Sequence, residues 1–250
     1  MTWAARRKLI YFGILFTIVV LTIGIPAFIK LYKKPTCFDN KQNQGEQGID
    51  CGGACVQLCK HIQLQPVVRW QQIFKVTEGV YTATAYISNG NLDAEAIKVP
   101  YTFTIYNSEN AVIGTRKGIT NIPPGKNFAV VETGVPITQG VPARTLFEFS
   151  DNFIWRQAAP NQPTVTVENQ VWSNVAVSPL ITANLTNPTF TDIAKVHVAI
   201  IIYDSEKNAF AASRTVVDNL TRQSQQQIVF TWPGPFPKAI SSIEIIPIPQ

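Results

Sequence analysis

Val196-His-Val-Ala-Ile-Ile-Ile-Tyr203-Asp-Ser-Glu206 reads as one β-strand running into a turn. Six of its first eight residues are β-branched or aromatic, and Asp-Ser-Glu supplies the turn chemistry. Ninety-seven residues earlier, Val99-Pro-Tyr-Thr-Phe-Thr-Ile-Tyr106-Asn-Ser-Glu109 has the same form. Upstream, Phe74 meets Trp172 and Asn89 meets Asn187 at an offset of 98; downstream, Phe147-Glu-Phe149 meets Ile243-Glu-Ile245 at an offset of 96. A period this long exceeds any solenoid repeat and matches one whole sandwich domain. Residues 62–160 and 161–250 are therefore expected to be two copies of one β-sandwich, parted by the proline-punctuated stretch Ala158–Pro163.

The rest of residues 62–250 has the same texture. Runs such as Tyr81-Thr-Ala-Thr-Ala-Tyr-Ile87 alternate and stop at Gly, Pro, Asn or Asp, and no long stretch keeps a helical period. The expected class is mainly β. Each copy has a strand ending in Ile-Tyr-(Asn/Asp), at Ile105-Tyr106-Asn107 and Ile202-Tyr203-Asp204. In this it resembles the FxLYD-type and related immunoglobulin-like domains of bacterial envelope proteins, although the Phe-x-Leu of that pattern is absent. The resemblance implies tandem immunoglobulin-like sandwiches without catalysis.

Leu9–Ile29 is a different kind of sequence: 21 residues without a charge, flanked by Arg6, Arg7 and Lys8 and by Lys30, Lys33 and Lys34. As a helix it covers about 30 Å, the thickness of a bilayer's hydrocarbon core. It is longer than a cleavable signal's apolar core and ends without a small-x-small site, so it reads as an uncleaved anchor. The expected organisation is a cytoplasmic tail at 1–8, a transmembrane helix at 9–29 and a cysteine-rich neck at 30–61, followed by the two sandwiches. With three cations on each side, only the short tail and its amine favour a cytoplasmic N-terminus.

The net charge of +5 is not a nucleic-acid signal. The first 34 residues hold six Lys/Arg and no Asp or Glu, which leaves 15 basic against 16 acidic residues in the remainder. The positive excess is juxtamembrane, where its partner is the lipid bilayer.

All four cysteines, Cys37, Cys51, Cys55 and Cys59, fall in the neck. The polar, glycine-rich text between them offers no core, so cross-links or a metal must hold it. An even, clustered count predicts two disulfides and an oxidising compartment. Three pairings are open. Residues four apart on a helix sit about 5–6 Å apart at Cβ, too far for a disulfide, which favours Cys37–Cys55 and Cys51–Cys59 with Gly52-Gly53 turning the chain. The spacing does not match the usual zinc pairs.

Cys37–Cys55 also resembles a short cysteine motif of extracellular proteins, roughly C-x-D-(G/N)-x-x-N-x-G-E-x-G-x-D-C-G-G-x-C. The resemblance implies secretion and disulfides. Asp39, Asn43, Glu46 and Asp50 are oxygen donors among glycines, a set that could wrap calcium or simply cap turns, the latter being usual for Asp and Asn beside Gly.

Little else carries chemistry. His61 and His197 are the two histidines, and the chain has no Gly-x-Ser-x-Gly, P-loop, Gly-x-Gly-x-x-Gly or His-Glu-x-x-His. No enzymatic role is expected. Asn184-Leu-Thr186 and Asn219-Leu-Thr221 are glycosylation sequons in a host with that machinery. Among the tryptophans Trp172 is expected in a core. Trp232-Pro-Gly-Pro-Phe-Pro237 is expected to be a loop that offers Trp232 and Phe236 to a partner. The expected function is structural: a membrane-tethered component presenting β-domains to other envelope proteins. Its alternatives are a glycan- or peptide-binding module and, behind that, an envelope hydrolase needing a pocket at a histidine.

Overall fold

The computed structural model describes residues 3–32, 34–151, 153–160, 162 and 164–249. Lys33, one of the flanking cations, and Asn161 and Pro163 of the linker lie outside the described residues. The chain divides into two compact units, Met1–Cys55 and Val56–Gln250.

The first unit opens with helix α1 (Trp3–Val19), a π-helical turn (Val20–Gly24) and helix α2 (Ile25–Leu31). The continuous span Trp3–Leu31 is 29 residues long, apolar throughout its middle and buries no side chain within the protein. The helix runs past both ends of the apolar stretch 9–29, because nothing in Trp3–Lys8 stops a helix. Pro26 explains the π turn. It has no N–H for the carbonyl four residues back, and the chain widens so that Ile25 N–H reaches Val20 O instead.

After the helix the neck folds on its own turns. Two disulfides join Cys37 to Cys55 and Cys51 to Cys59, the favoured pairing. Gly52 and Gly53 both have positive φ, and a Cβ on Gly53 would meet Gly45 O at 2.1 Å, so the Gly-Gly turn admits no side chain there.

The second unit starts at Val56, five residues before the expected end of the neck. Leu58 N–H donates to Trp155 O and Gln57 bridges to Arg156, which draws residues 56–61 into the β body. Strand accounts for 49% of the chain against 12% helix, so the chain is mainly β. The first six strands are β1 (Val67–Thr77), β2 (Val80–Ser88), β3 (Ala94–Tyr106), β4 (Val112–Ile122), β5 (Asn127–Pro136) and β6 (Arg144–Phe149). They form antiparallel sheets β1-β2-β5 and β4-β3-β6, with the short β7 (Arg156–Gln157) on the start of β3. The last six are β8 (Thr166–Ser173), β9 (Leu180–Asn187), β10 (Ile193–Tyr203), β11 (Ala209–Leu220), β12 (Ser224–Thr231) and β13 (Ser242–Pro249). Their sheets, β12-β9-β8 and β11-β10-β13, have the same strand order.

Each pair of sheets closes on an apolar core. In the first, Ala83, Ala85 and Ile87 face Tyr101, Phe103 and Phe147; in the second, Ile181, Ala183 and Leu185 face Val198, Ile200 and Ile202. Matching turns hold matching corners. Asn89 Oδ1 accepts the N–H of Asn91 while its amide donates to Ala94 O and Pro123 O. Asn187 does the same for Thr189, Thr191 and Leu220. Asn107 Oδ1 takes the N–H of Glu109 and Ala111, and Asp204 Oδ1 takes those of Glu206 and Asn208. These are Asx turns, which is why Asn or Asp stands there. Ladder register refines the alignment at the last strand: Phe103 pairs Phe147 and Ile200 pairs Ile245, so Phe147 answers to Ile245 at an offset of 98 rather than to Ile243 at 96.

A third apolar layer joins the sandwiches. Ala129 and Val131 of β5 pack with Ala199 and Ile201 of β10 and Ala212 of β11, flanked by Trp70, Phe74, Tyr86 and Tyr203. Sheets β1-β2-β5 and β11-β10-β13 are thus buried on both faces, and four sheets stack as one body.

Candidate functional site

The residues expected to carry function separate on folding. In the neck, three of the four calcium candidates, Asp39, Glu46 and Asp50, accept backbone N–H groups, while Asn43 Oδ1 is buried with no hydrogen-bond partner among the described residues. Asp50 accepts from the N–H of Asp39 (3.0 Å) and Asn40 (2.9 Å), Glu46 from Asn43 and Asp50, and Asp39 from Thr36, Lys41 and the Asn43 amide. The Asn43 hydrogen bond, with backbone N–H of Thr36 and Lys41, holds the Asp39 carboxyl below its usual range. A calcium ion would compete with these N–H groups for the same oxygens. Among the described residues one metal-like group emerges, Cys37, Glu46 and Cys55, but its sulfurs are joined in a disulfide and offer no thiolate.

The Trp232–Pro237 loop corrects an expectation. Trp232 is only 7% exposed and packs edge-on against Phe236, which itself meets Phe210 edge-on. The prolines break the strand, and the two rings fold inward to plug the end of the second sandwich rather than face a partner. Trp172 errs the other way: 46% exposed on edge strand β8, it lies outside the core. His61 is exposed, and His197 sits half-buried on β10. Burial first, then the Arg214 and Lys195 charges, push His197 below its usual pKa. The cavity beside it holds about 30 Å³, the room of one water molecule.

A larger opening lies where the sandwiches meet. This cavity of about 570 Å³ runs along β13, between Glu95–Lys98 at the start of β3, the Asn121–Phe128 turn and Glu244–Pro249. Ile122, Phe128, Ile246 and Ile248 give it an apolar wall, with Pro123, Pro124, Pro247 and Pro249 along it and exposed Lys98 and Lys126 beside it. Buried Glu95 receives Arg156 Nε (2.8 Å) on one oxygen and Gln162 Nε2 (2.6 Å) on the other, so its charge is fully partnered. Asn121 ties the cavity's sides together, accepting from Lys98 N–H and donating to Pro249 O.

Two carboxylates stitch the interlayer itself. Tyr86 of the first sandwich and Tyr203 of the second both donate to Glu244, at 2.8 and 2.9 Å. Burial, with the Glu244 hydrogen bond added, pushes Tyr86 up to about 12 and moves Tyr203 the same way. Glu132 accepts from Tyr101 of its own sandwich at 2.5 Å and pairs across the interlayer with Arg214 of the second sandwich at 3.5 Å. Glu95, Arg156, Glu132 and Glu244 went unremarked in the sequence. The available signal was a lone acid inside an apolar strand, as in Ile243-Glu-Ile245.

Among the described residues no hydrogen bond joins a hydroxyl nucleophile to a histidine; the arrangement can lock two domains and offers an open cavity along β13. No protein-family model matches the chain, and a search of curated proteins finds no match in sequence.

Proposed function

We propose that this is a single-pass, membrane-tethered structural protein of a cell envelope, which presents two immunoglobulin-like sandwiches to partner proteins outside the cytoplasm. The interlayer of Ala129, Val131, Ala199, Ile201 and Ala212 carries this reading. Two sandwiches joined by an apolar layer, by the Tyr86–Glu244 hydrogen bond and by the Arg214–Glu132 ion pair form a stiff body rather than beads on a string, and stiffness suits a scaffold. The apolar helix supplies the tether and the disulfides suit an oxidising side. The turn residues at Tyr106-Asn107 and Tyr203-Asp204, with the shared strand order, support a duplicated domain of the kind the sequence resembles.

Affinity purification of the full chain in mild detergent tests it. Stable co-purification of the same membrane proteins from independent preparations is expected. Recovery of the chain alone overturns it.

The cavity along β13 favours a second reading, an extracytoplasmic peptide- or glycan-binding module. Its apolar, proline-rich wall beside two lysines suits an extended segment bearing a carboxylate. Under that reading the purified chain is retained on a peptide or glycan array, and Phe128→Ala with Lys126→Ala weakens retention at least tenfold.

A further inference from the structure

We propose that the disulfide-tied turn docks on the membrane surface, with Phe38 and Ile49 inserted at the headgroup level of a bilayer bearing anionic lipid. This rests on the reading of Trp3–Leu31 as a membrane span. Phe38 is 83% exposed and Ile49 62% exposed, in a module whose other side chains are mostly polar. They rise from neighbouring positions. The Asp50 carboxylate, next after Ile49, accepts the backbone N–H of Asp39, next after Phe38, so a side-chain-to-backbone hydrogen bond ties the two segments together.

Connectivity then keeps this pair at the lipid. Helix α2 ends at Leu31, and the seven residues to Phe38 extend about 25 Å at most. The 29-residue span, about 44 Å as a helix, already exceeds the hydrocarbon thickness, so its end lies among headgroups. The Cys37–Cys55 disulfide, with 5.7 Å between Cα atoms, keeps the module compact at that level. Charge selects the lipid. Lys30, Lys34 and Lys41 are exposed, whereas Asp39, Glu46 and Asp50 turn their oxygens to backbone N–H groups. Exposed aromatic and aliphatic side chains beside lysines are the usual composition of an interfacial contact.

The test places the photoreactive p-benzoylphenylalanine, one site at a time, at Phe38, Ile49, Leu15 and Phe190 of the full chain. Each variant is reconstituted into vesicles of phosphatidylcholine with phosphatidylglycerol, and mass spectrometry under non-reducing conditions confirms both disulfides. Phe38 and Ile49 are large and exposed, so neither substitution disturbs packing. Leu15 reports on the span and Phe190, exposed on the β body, on background. The expected result is lipid adducts at 38 and 49 at least fivefold above 190, falling threefold or more in pure phosphatidylcholine. Adducts at 15 with none above background at 38 and 49 overturn the docking and leave the anchor standing. No adduct at 15 overturns the anchor and the docking with it. Adducts at 38 to a second copy of the chain in place of lipid also overturn it, and yields unchanged in phosphatidylcholine overturn the anionic preference.

Discussion

Asn187 shows how much a single buried side chain holds here. Its amide donates to Thr191, Leu220 and Thr221, and its Oδ1 accepts the N–H and hydroxyl of Thr189. Removing it leaves buried carbonyls without donors, at about 1–3 kcal/mol each. Asn187→Ala is expected to destabilise the chain by roughly 3 kcal/mol, and Asn187→Asp, which keeps the acceptor but loses the donors, by a similar amount. Denaturant unfolding of the full chain in detergent, followed by tryptophan fluorescence, checks both. Asn89 and Asn187 were legible as a pair from the sequence because their spacing matched the strands around them. Their work was not, since donors and acceptors come from residues as much as 34 positions away.

Glu244 gives a second residue-scale expectation. Tyr86 has a folded pKa of about 12 against the ordinary 10.0, because burial and the Glu244 carboxylate both disfavour the phenolate. A proton held more tightly when folded stabilises the protein fully below about pH 10 and is lost as pH rises toward 12. Tyr203 and Tyr101 shift in the same direction. Stability should therefore fall steeply between about pH 10 and 12, with a shallower slope in Tyr86→Phe and Tyr203→Phe. Denaturant midpoints measured across that range decide it, and a slope unchanged by both substitutions would sink the assignment.

At the scale of elements, strand β10 is the instructive one. Val198-Ala-Ile-Ile-Ile202 does not alternate, and neither does Phe128-Ala-Val-Val131 of β5. Strands wetted on one face alternate; strands covered on both run continuously apolar. The sequence thus held the signal for the interlayer, but read as a sign of strand alone it pointed to two separate sandwiches. Side-chain parity resolves it. Val198, Ile200 and Ile202 enter the second core, while Ala199 and Ile201 face the first sandwich. Ile201→Ala should cost about 2–5 kcal/mol by leaving a cavity in the layer. Ile201→Lys should do something different in kind, parting the sandwiches without unfolding either. Proteolysis checks this: cleavage within 158–165 should accelerate at least tenfold in Ile201→Lys, while each half stays resistant. The Trp232–Pro237 loop failed as a sequence reading for a related reason. Prolines mark where a strand ends, but whether the rings beside them turn in or out depends on Phe210, which is distant in sequence.

For the whole molecule, the proposed reading of Trp3–Leu31 as a membrane anchor raises the question of which side of the membrane holds the β body. Charge alone does not answer it, since three cations stand at each end of the apolar stretch. The sulfur chemistry does better. All four cysteines are in disulfides, and cytosolic thiol buffers would keep such a pair of crosslinks reduced. Closing an 18-residue loop is worth about 3 kcal/mol in the chain-entropy account, so a neck with almost no core depends on its oxidation. Folding and topology are thereby coupled, because the neck holds its shape only where the bonds form. The expected outcome is directional. In spheroplasts expressing the full chain, an externally added protease should attack the β body while an N-terminal epitope tag stays protected. Permeable alkylating reagents should label no cysteine until a reductant is added. Cys37→Ser with Cys55→Ser should leave the helix inserted but make the neck the first site cut. An N-terminal tag lost to external protease, with the body protected and its thiols free, would reverse the orientation and remove the reason for reading the body as an envelope scaffold.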